Sequence, residues 1–194
     1  MSKNLKTIVI VGLIAIVASL SVAYAALSKT LNITGTATLK QNTWSIAFGS
    51  GSCAATGSAT AGTVSGSGTT TASVSGVKLA LPGDTVTCTV PITNNGTINA
   101  TLSSISYTAP TISGTSDTDI QGWITTSVTY DGVTLGDNAT TNLNNITSAS
   151  KQSLNTGITK NVVIKYTYSS SATKVPGADV TIGSLAVSTN YVQS

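Results

Sequence analysis

Residues 26–39, which read ALSKTLNITGTATL, constrain the fold most because their side chains alternate. From Thr30 onward every even position is Asn or Thr, while most odd positions are apolar. The apolar positions are Leu27, Leu31, Ile33, Ala37 and Leu39. Alternation with period two is typical of a half-buried β-strand. From Leu27 to Leu39 such a strand would span roughly 43 Å at about 3.3 Å per residue, about twice an ordinary strand. A strand of that length either reaches beyond its own domain or bends from one sheet to another within it.

The segment before this strand has the three parts of a secretory signal peptide. These are a positive start (Lys3 and Lys6), an apolar run from Ile8 to Leu20, and a small-x-small site with Ala23 and Ala25 before Ala26. The sequence therefore predicts a signal peptide over residues 1–25 and a mature domain over residues 26–194. The alternative is a retained membrane anchor, because residues 7–26 are nearly long enough to span a bilayer.

The mature region is predicted to be β throughout, since no segment in it shows helical period. Two stretches alternate clearly, with apolar residues at Val86, Cys88, Val90 and Ile92 and at Val162, Ile164, Tyr166 and Tyr168. Asn94-Asn95-Gly96 and Asp131-Gly132 are typical of tight hairpin turns. Pro91 cannot donate to a ladder, which predicts an edge or a bulge there. Many short strands separated by turns predict an all-β fold, an antiparallel jelly roll or β-sandwich in one domain.

Cys53 and Cys88 are the two cysteines of the chain. An exported protein can keep a disulfide, so these residues are the candidate pair. The alternative is two buried thiols, which the apolar face around Cys88 would also accommodate.

The composition offers little for catalysis, because the chain contains no His, and its charged residues are nine Lys and six Asp. Without His and Glu the usual proton-transfer groups and zinc ligands are missing. We therefore expect no catalytic residue, no cofactor and no metal site. Asp117-Thr118-Asp119 could contribute ligands to Ca²⁺, but a solvated loop is the preferred interpretation. Removing Lys3 and Lys6 with the signal leaves seven Lys against six Asp, which does not indicate nucleic-acid binding.

Four segments together resemble the TasA/camelysin family of exported bacterial matrix proteins and related archaeal pilus subunits. They are YAALSKTLNITGTATL, TWSIAF, LALPGDTVTCTVPITNNGTINATL and DVTIGSLAVSTNYVQ. The resemblance implies a jelly-roll subunit that polymerises into extracellular fibres, with residues 27–39 of one subunit completing the sheet of the next. Camelysins are also described as metalloproteases, an activity that a chain without His and Glu is not expected to share.

The expected function is therefore a secreted structural subunit of matrix fibres or pili, located at the cell surface or in the extracellular matrix. Its expected partner is a further copy of itself, head to tail, with other matrix or cell-surface proteins as additional candidates. Contact with a membrane is expected only through the signal segment before cleavage. The alternative is a monomeric cell-surface module for adhesion or binding.

Overall fold

The computed structural model describes residues 3–27, 35–115, 117–177 and 180–194. The chain divides into two compact units, Met1–Lys40 and Gln41–Ser194. In the first unit, Lys3–Leu27 forms the apolar helix α1. By length and composition α1 could cross a membrane, and signal sequences form helices of the same kind. An apolar helix compatible with a signal sequence thus lies near the start of the chain.

The second unit is built mainly from antiparallel strands. Its strands are β1 Ile46–Phe48, β2 Ser52–Thr56, β3 Thr63–Ser65, β4 Thr71–Ser75, β5 Thr85–Asn94, β6 Ala100–Thr108, β7 Ile112–Ser113, β8 Ile124–Tyr130, β9 Val133–Leu135, β10 Ser153–Leu154, β11 Thr159–Tyr168, β12 Thr181–Ile182 and β13 Leu185–Gln193, and its helices are α2 Thr118–Trp123 and α3 Ala139–Ser148.

The strands form two main sheets. The first has the order β1-β5-β11-β8-β9, with β2 also paired to β5, and the second has the order β10-β6-β13-β4-β3. Strands β7 and β12 form a separate pair. This arrangement confirms the predicted all-β sandwich, while the finer jelly-roll topology stays a prediction.

The core lies between the inward rows of the two sheets. Val86, Val90 and Ile92 of β5 and Val162, Ile164 and Tyr166 of β11 are all buried, as their alternation predicts. The two sheets also meet where the Tyr130 and Tyr191 hydroxyl groups lie 3.0 Å apart. Burial raises the pKa of Tyr130 to about 12.

A disulfide joins Cys53 to Cys88, which face each other across the β2–β5 ladder. The two Cα atoms are 4.0 Å apart. A crosslink closing a loop of this length stabilises a domain by roughly 3–4 kcal/mol in the chain-entropy model.

The hairpin predicted at Asn94-Asn95-Gly96 is wrong. Strand β5 lies in the first sheet and β6 in the second, so the connection crosses between sheets. The physical reason is Asn94, which is fully buried and donates from Nδ2 to the carbonyl groups of Ile98 (2.8 Å) and Leu154 (3.0 Å). The hairpin predicted at Asp131-Gly132, by contrast, is confirmed, with φ of 46° and 86° at its two turn residues.

The absence of helices after residue 26 was also predicted wrongly. Asn138 caps α3 through its side chain, which accepts a hydrogen bond from the Thr141 amide at 3.0 Å. Residues Ala139, Leu143 and Ile146 have the i, i+4, i+7 spacing of a helix face, a signal that the surrounding Thr and Asn residues conceal. Asp117 caps α2 in the same way, accepting from the amides of Asp119 and Ile120.

Pro91 does not mark a sheet edge, because β5 has neighbours on both sides. It lies where the neighbour of β5 changes from β2, which ends its pairing at Thr89, to β1, which begins at Ile92. The Pro91 carbonyl accepts from Gly49 at 2.7 Å in this gap. The missing N–H therefore faces a break in the ladder, where it costs no strand pairing.

Candidate binding groove

A groove of about 730 Å³ opens in the second unit between two extended segments. Residues 76–80 form one wall, and residues 176–177 and 180–184 form the other. The groove begins where β4 and β13 separate, just beyond their last pair, Val74 with Leu185. Its position is therefore set by two strands that are paired at one end and apart at the other.

Both walls continue the ladders on their outer sides. The Thr60–Lys78 bridge has the register of the β3–β4 ladder, and its two amide-to-carbonyl distances are 2.9 and 3.2 Å. The β7–β12 pair likewise continues the register of β6 with β13. The outer pairings are resumed in the same register beyond short breaks, whereas the central β4–β13 pairing is not resumed, so the groove has the position of one missing strand.

The walls expose main-chain groups toward this slot. Residues of an antiparallel strand alternate between bonding one neighbour and facing the other. Since Lys78 bonds Thr60 on the outer side, the main-chain groups of Val77 and Leu79 point the other way. Within the described part of the chain they form no main-chain hydrogen bond across the slot. An unpaired strand edge is a template for another extended chain.

The groove is lined by apolar residues on both walls and also by polar residues such as Thr60, Lys78 and Thr181. Val77 and Ile182 are only 4% and 5% exposed, and Leu79 and Val180 are partly buried against the core. Apolar side chains of an inserted strand would therefore meet apolar surface on both walls.

Asp84 fixes one wall of the groove. This residue is 2% exposed, and its carboxylate accepts from the amides of Ser58 (2.8 Å), Ala80 (2.8 Å) and Leu81 (2.9 Å). Burial acts to raise the pKa of Asp84, but the hydrogen bonds from Leu81, Ser58 and Ala80 outweigh it, so the pKa lies below its ordinary value. The side chain is a structural anchor and not a free acid.

We expect Asp84→Asn to lower the free energy of unfolding by about 3 kcal/mol at neutral pH, because the buried amides lose a charged acceptor. A carboxyl whose pKa is lower in the folded state stabilises the fold at pH values above its unfolded pKa of about 3.9. This stabilisation is lost as the pH falls below that value. The difference between variant and wild type should therefore shrink below about pH 4. Urea unfolding at several pH values measures this, with Asp119→Asn, an exposed ion-pair partner, as the control. A difference that stays constant down to pH 2 would contradict the anchor.

The predicted strand residues fall partly outside the described residues. Leu31 and Ile33 are outside the residues that the structure describes. Leu27 is the last residue of α1, whereas the sequence predicted it as the first residue of a strand. Ala37 and Leu39 lie in residues 35–45, which have no strand and are exposed. Leu39 is 100% exposed. The second half of the alternating segment therefore has no strand partner within the described part of this chain.

The first residues of the second unit lie far from the groove. Thr43 and Ser45 bond Thr97 and Asn95, beside the Asn94 end of β5. The groove wall, in contrast, is anchored by Asp84, next to the Thr85 end of β5. Ten residues of β5 separate the two ends by about 30 Å.

Three of the other described aspartates are engaged in ion pairs, and Asp137 accepts a hydrogen bond from the Tyr107 hydroxyl at 3.2 Å. Lys174 Nζ lies 3.3 Å from Asp117 and 3.0 Å from Asp119, the two residues that could have served Ca²⁺. Asp131 lies 3.2 Å from Lys160 and 3.3 Å from Lys151. Among the described residues no group of three His, Cys, Asp or Glu could hold a metal ion.

No protein-family model, no curated protein and no solved structure matches this chain. The groove and the exposed segment are therefore the features from which a function can be inferred.

Proposed function

We propose that this protein is a secreted structural subunit that polymerises into extracellular matrix fibres or pili. Residues 27–39 of one copy enter the groove of the next and complete its sheet. The observation that carries the proposal is the slot between residues 76–80 and β12, which interrupts ladders that are otherwise in register. An extended peptide that fills such a slot gains main-chain hydrogen bonds, and its alternate side chains fill pockets.

The segment and the groove are complementary in chemistry. As a strand, the segment would place Leu31, Ile33 and Leu39 on one face and Thr or Asn on the other. The groove offers Leu79 on one wall and Val180 on the other, both of which are only partly buried. The apolar face of the segment would turn inward and the polar face would turn to solvent, as in any half-buried strand.

The positions of segment and groove favour a chain of copies. Because Thr43 and Ser45, which follow the segment in the chain, pair beside the Asn94 end of β5 and the groove lies at the other end, the attachment point of the segment and the groove are different surfaces. A head-to-tail contact between different surfaces need not close, and it then generates a filament. Without the signal, six Asp and seven Lys leave little net charge to repel stacked copies.

The alternative, a monomeric adhesion module, would be favoured by a cluster of exposed aromatic side chains in a cleft. Within the described residues Trp44 is the one large aromatic side chain that is exposed, at 47%. No specific feature of the structure therefore supports this second function.

The direct test is a chain that starts at Gln41 together with a synthetic peptide of residues 27–39. Because Gln41–Ser194 is a compact unit by itself, we expect the truncated protein to keep its β-rich circular dichroism yet fail to form fibres. The peptide should bind it, whereas a peptide with Asp at positions 31 and 33 should not. Light scattering that finds the full secreted chain monomeric at every concentration, with a truncated chain that unfolds, would refute the proposal.

A further inference from the structure

Two exposed apolar pairs lie at opposite ends of the second unit. At one end Trp44 and Ile158 are each 47% exposed, and we name this pair the exit rim. At the other end Leu81 and Val175 are 49% and 55% exposed, and we name this pair the groove rim.

The exit rim extends the inward rows of the first sheet past its last buried residue. Ile46 pairs with Asn94, and the Asn94 amide donates to the Ile158 carbonyl at 3.2 Å, so Asn94 lies between β1 and the start of β11. Side chains two residues apart in a strand point to the same face. Trp44 therefore shares the inward face of Ile46 and Phe48, and Ile158 shares that of Lys160 and Val162. Both side chains therefore point toward the core side but lie beyond the end of the core.

The groove rim borders the mouth of the groove. Leu81 follows Ala80 and Val175 precedes Pro176, and both of these neighbours line the groove. Leu81 also donates its amide to Asp84, which places it beside the start of β5. The two rims are thus separated by the length of β5.

The chain between the donated segment and the exit rim is short. Four residues separate Leu39 from Trp44, so five Cα steps span at most about 18 Å. When Leu39 of one copy lies in the groove of the next, Trp44 cannot be farther than this from the groove mouth. The tether therefore brings the exit rim of one copy to the groove rim of its neighbour.

We propose that the exit rim of each copy docks on the groove rim of the next copy as a second contact beside the donated strand. This inference rests on the proposed function and specifies its partner surface, Leu81 and Val175 of a second copy. Trp is among the residues that most often dominate an interface, because its large ring buries much area with few rotatable bonds. Docking would cover four exposed apolar side chains that the isolated unit leaves in water.

The test compares secreted chains that carry Trp44→Ser, Ile158→Ser or Ile33→Asp with the wild type. The critical concentration for fibre assembly, measured by sedimentation, should rise roughly 30-fold for Trp44→Ser. Ile158→Ser should raise it in the same direction, and thermal unfolding checks that both variants fold. The matched control is Val192→Ser, because Val192 is 49% exposed but lies opposite Thr101 on the outer face of the other sheet.

A second readout follows Trp44 itself. In a Trp123→Phe chain Trp44 is the only tryptophan, and its quenching by acrylamide should fall when fibres form. If the wild type and Trp44→Ser assemble equally while Ile33→Asp fails, strand donation stands and the rim contact is refuted. If the wild type itself never assembles, the proposed function fails and the rim contact fails with it.

Discussion

Changing Ile33 to Asp is expected to abolish fibre assembly at concentrations where the wild-type chain assembles completely. In the proposed fibre this side chain would turn into the groove, where apolar residues such as Leu79 and Val180 are only partly buried. An unpaired carboxylate in such a site costs several kcal/mol, which raises the concentration needed for assembly by at least about a hundredfold. Sedimentation of the secreted chain measures the loss.

The same substitution on the other face of the segment is the matched control. Thr36 and Ile33 are three residues apart, so in a strand their side chains would point to opposite faces. Thr36→Asp would therefore place its charge in solvent and should change assembly only slightly. Equal effects of the two substitutions would show that the segment does not bind as a strand with one buried face. Leu31→Asp repeats the test at the neighbouring inward position.

Changing Asn94 to Asp is expected to destabilise the second unit by about 3–5 kcal/mol, a large share of the 5–15 kcal/mol that holds a typical domain. The Nδ2 group of Asn94 donates to the Ile98 and Leu154 carbonyl groups, and a carboxylate would present oxygen to both. Its Oδ1 also accepts from Gly96 at 3.0 Å, a contact that Asp would keep. The midpoint of urea unfolding at neutral pH should fall accordingly.

Asn95→Asp is the control, because Asn95 is exposed one residue away. Its stability should stay within about 0.5 kcal/mol of the wild type. A buried carboxyl has a raised pKa, so the penalty of Asn94→Asp should grow as the pH rises above about 4 and be smaller below it. A variant as stable as the control at neutral pH would show that Asn94 does not hold the crossing between the sheets.

The parts of the fold that depend on local pattern could be predicted. Strands β5 and β11 bury every second residue, and a period of two is visible in any single strand. The Asp131-Gly132 turn could also be predicted from sequence, because it depends only on two adjacent residues that readily adopt positive φ angles.

The crossing at residues 94–99 could not be predicted, since Asn94-Asn95-Gly96 fits a hairpin equally well when considered alone. The outcome depends on Leu154, sixty residues later in the chain, whose carbonyl receives one of the Asn94 hydrogen bonds. The groove could not be predicted from sequence patterns for the same reason. It exists because β4 and β13 separate after Val74 and Leu185, and no local signal marks where a ladder between such distant strands ends.

In the proposed fibre, the attachment of residues 43–45 at one end of β5 and the groove at the other end would determine how mechanical tension is carried. A pull on the fibre would enter one unit at the groove and leave it through β1, so the load would run along β5. Ladder hydrogen bonds lie perpendicular to the strands, so a lengthwise pull would have to shear the β1–β5 ladder as a whole instead of opening it bond by bond. If that ladder is sheared, we expect the Cys53–Cys88 crosslink to take the load, because it keeps β2 attached to β5.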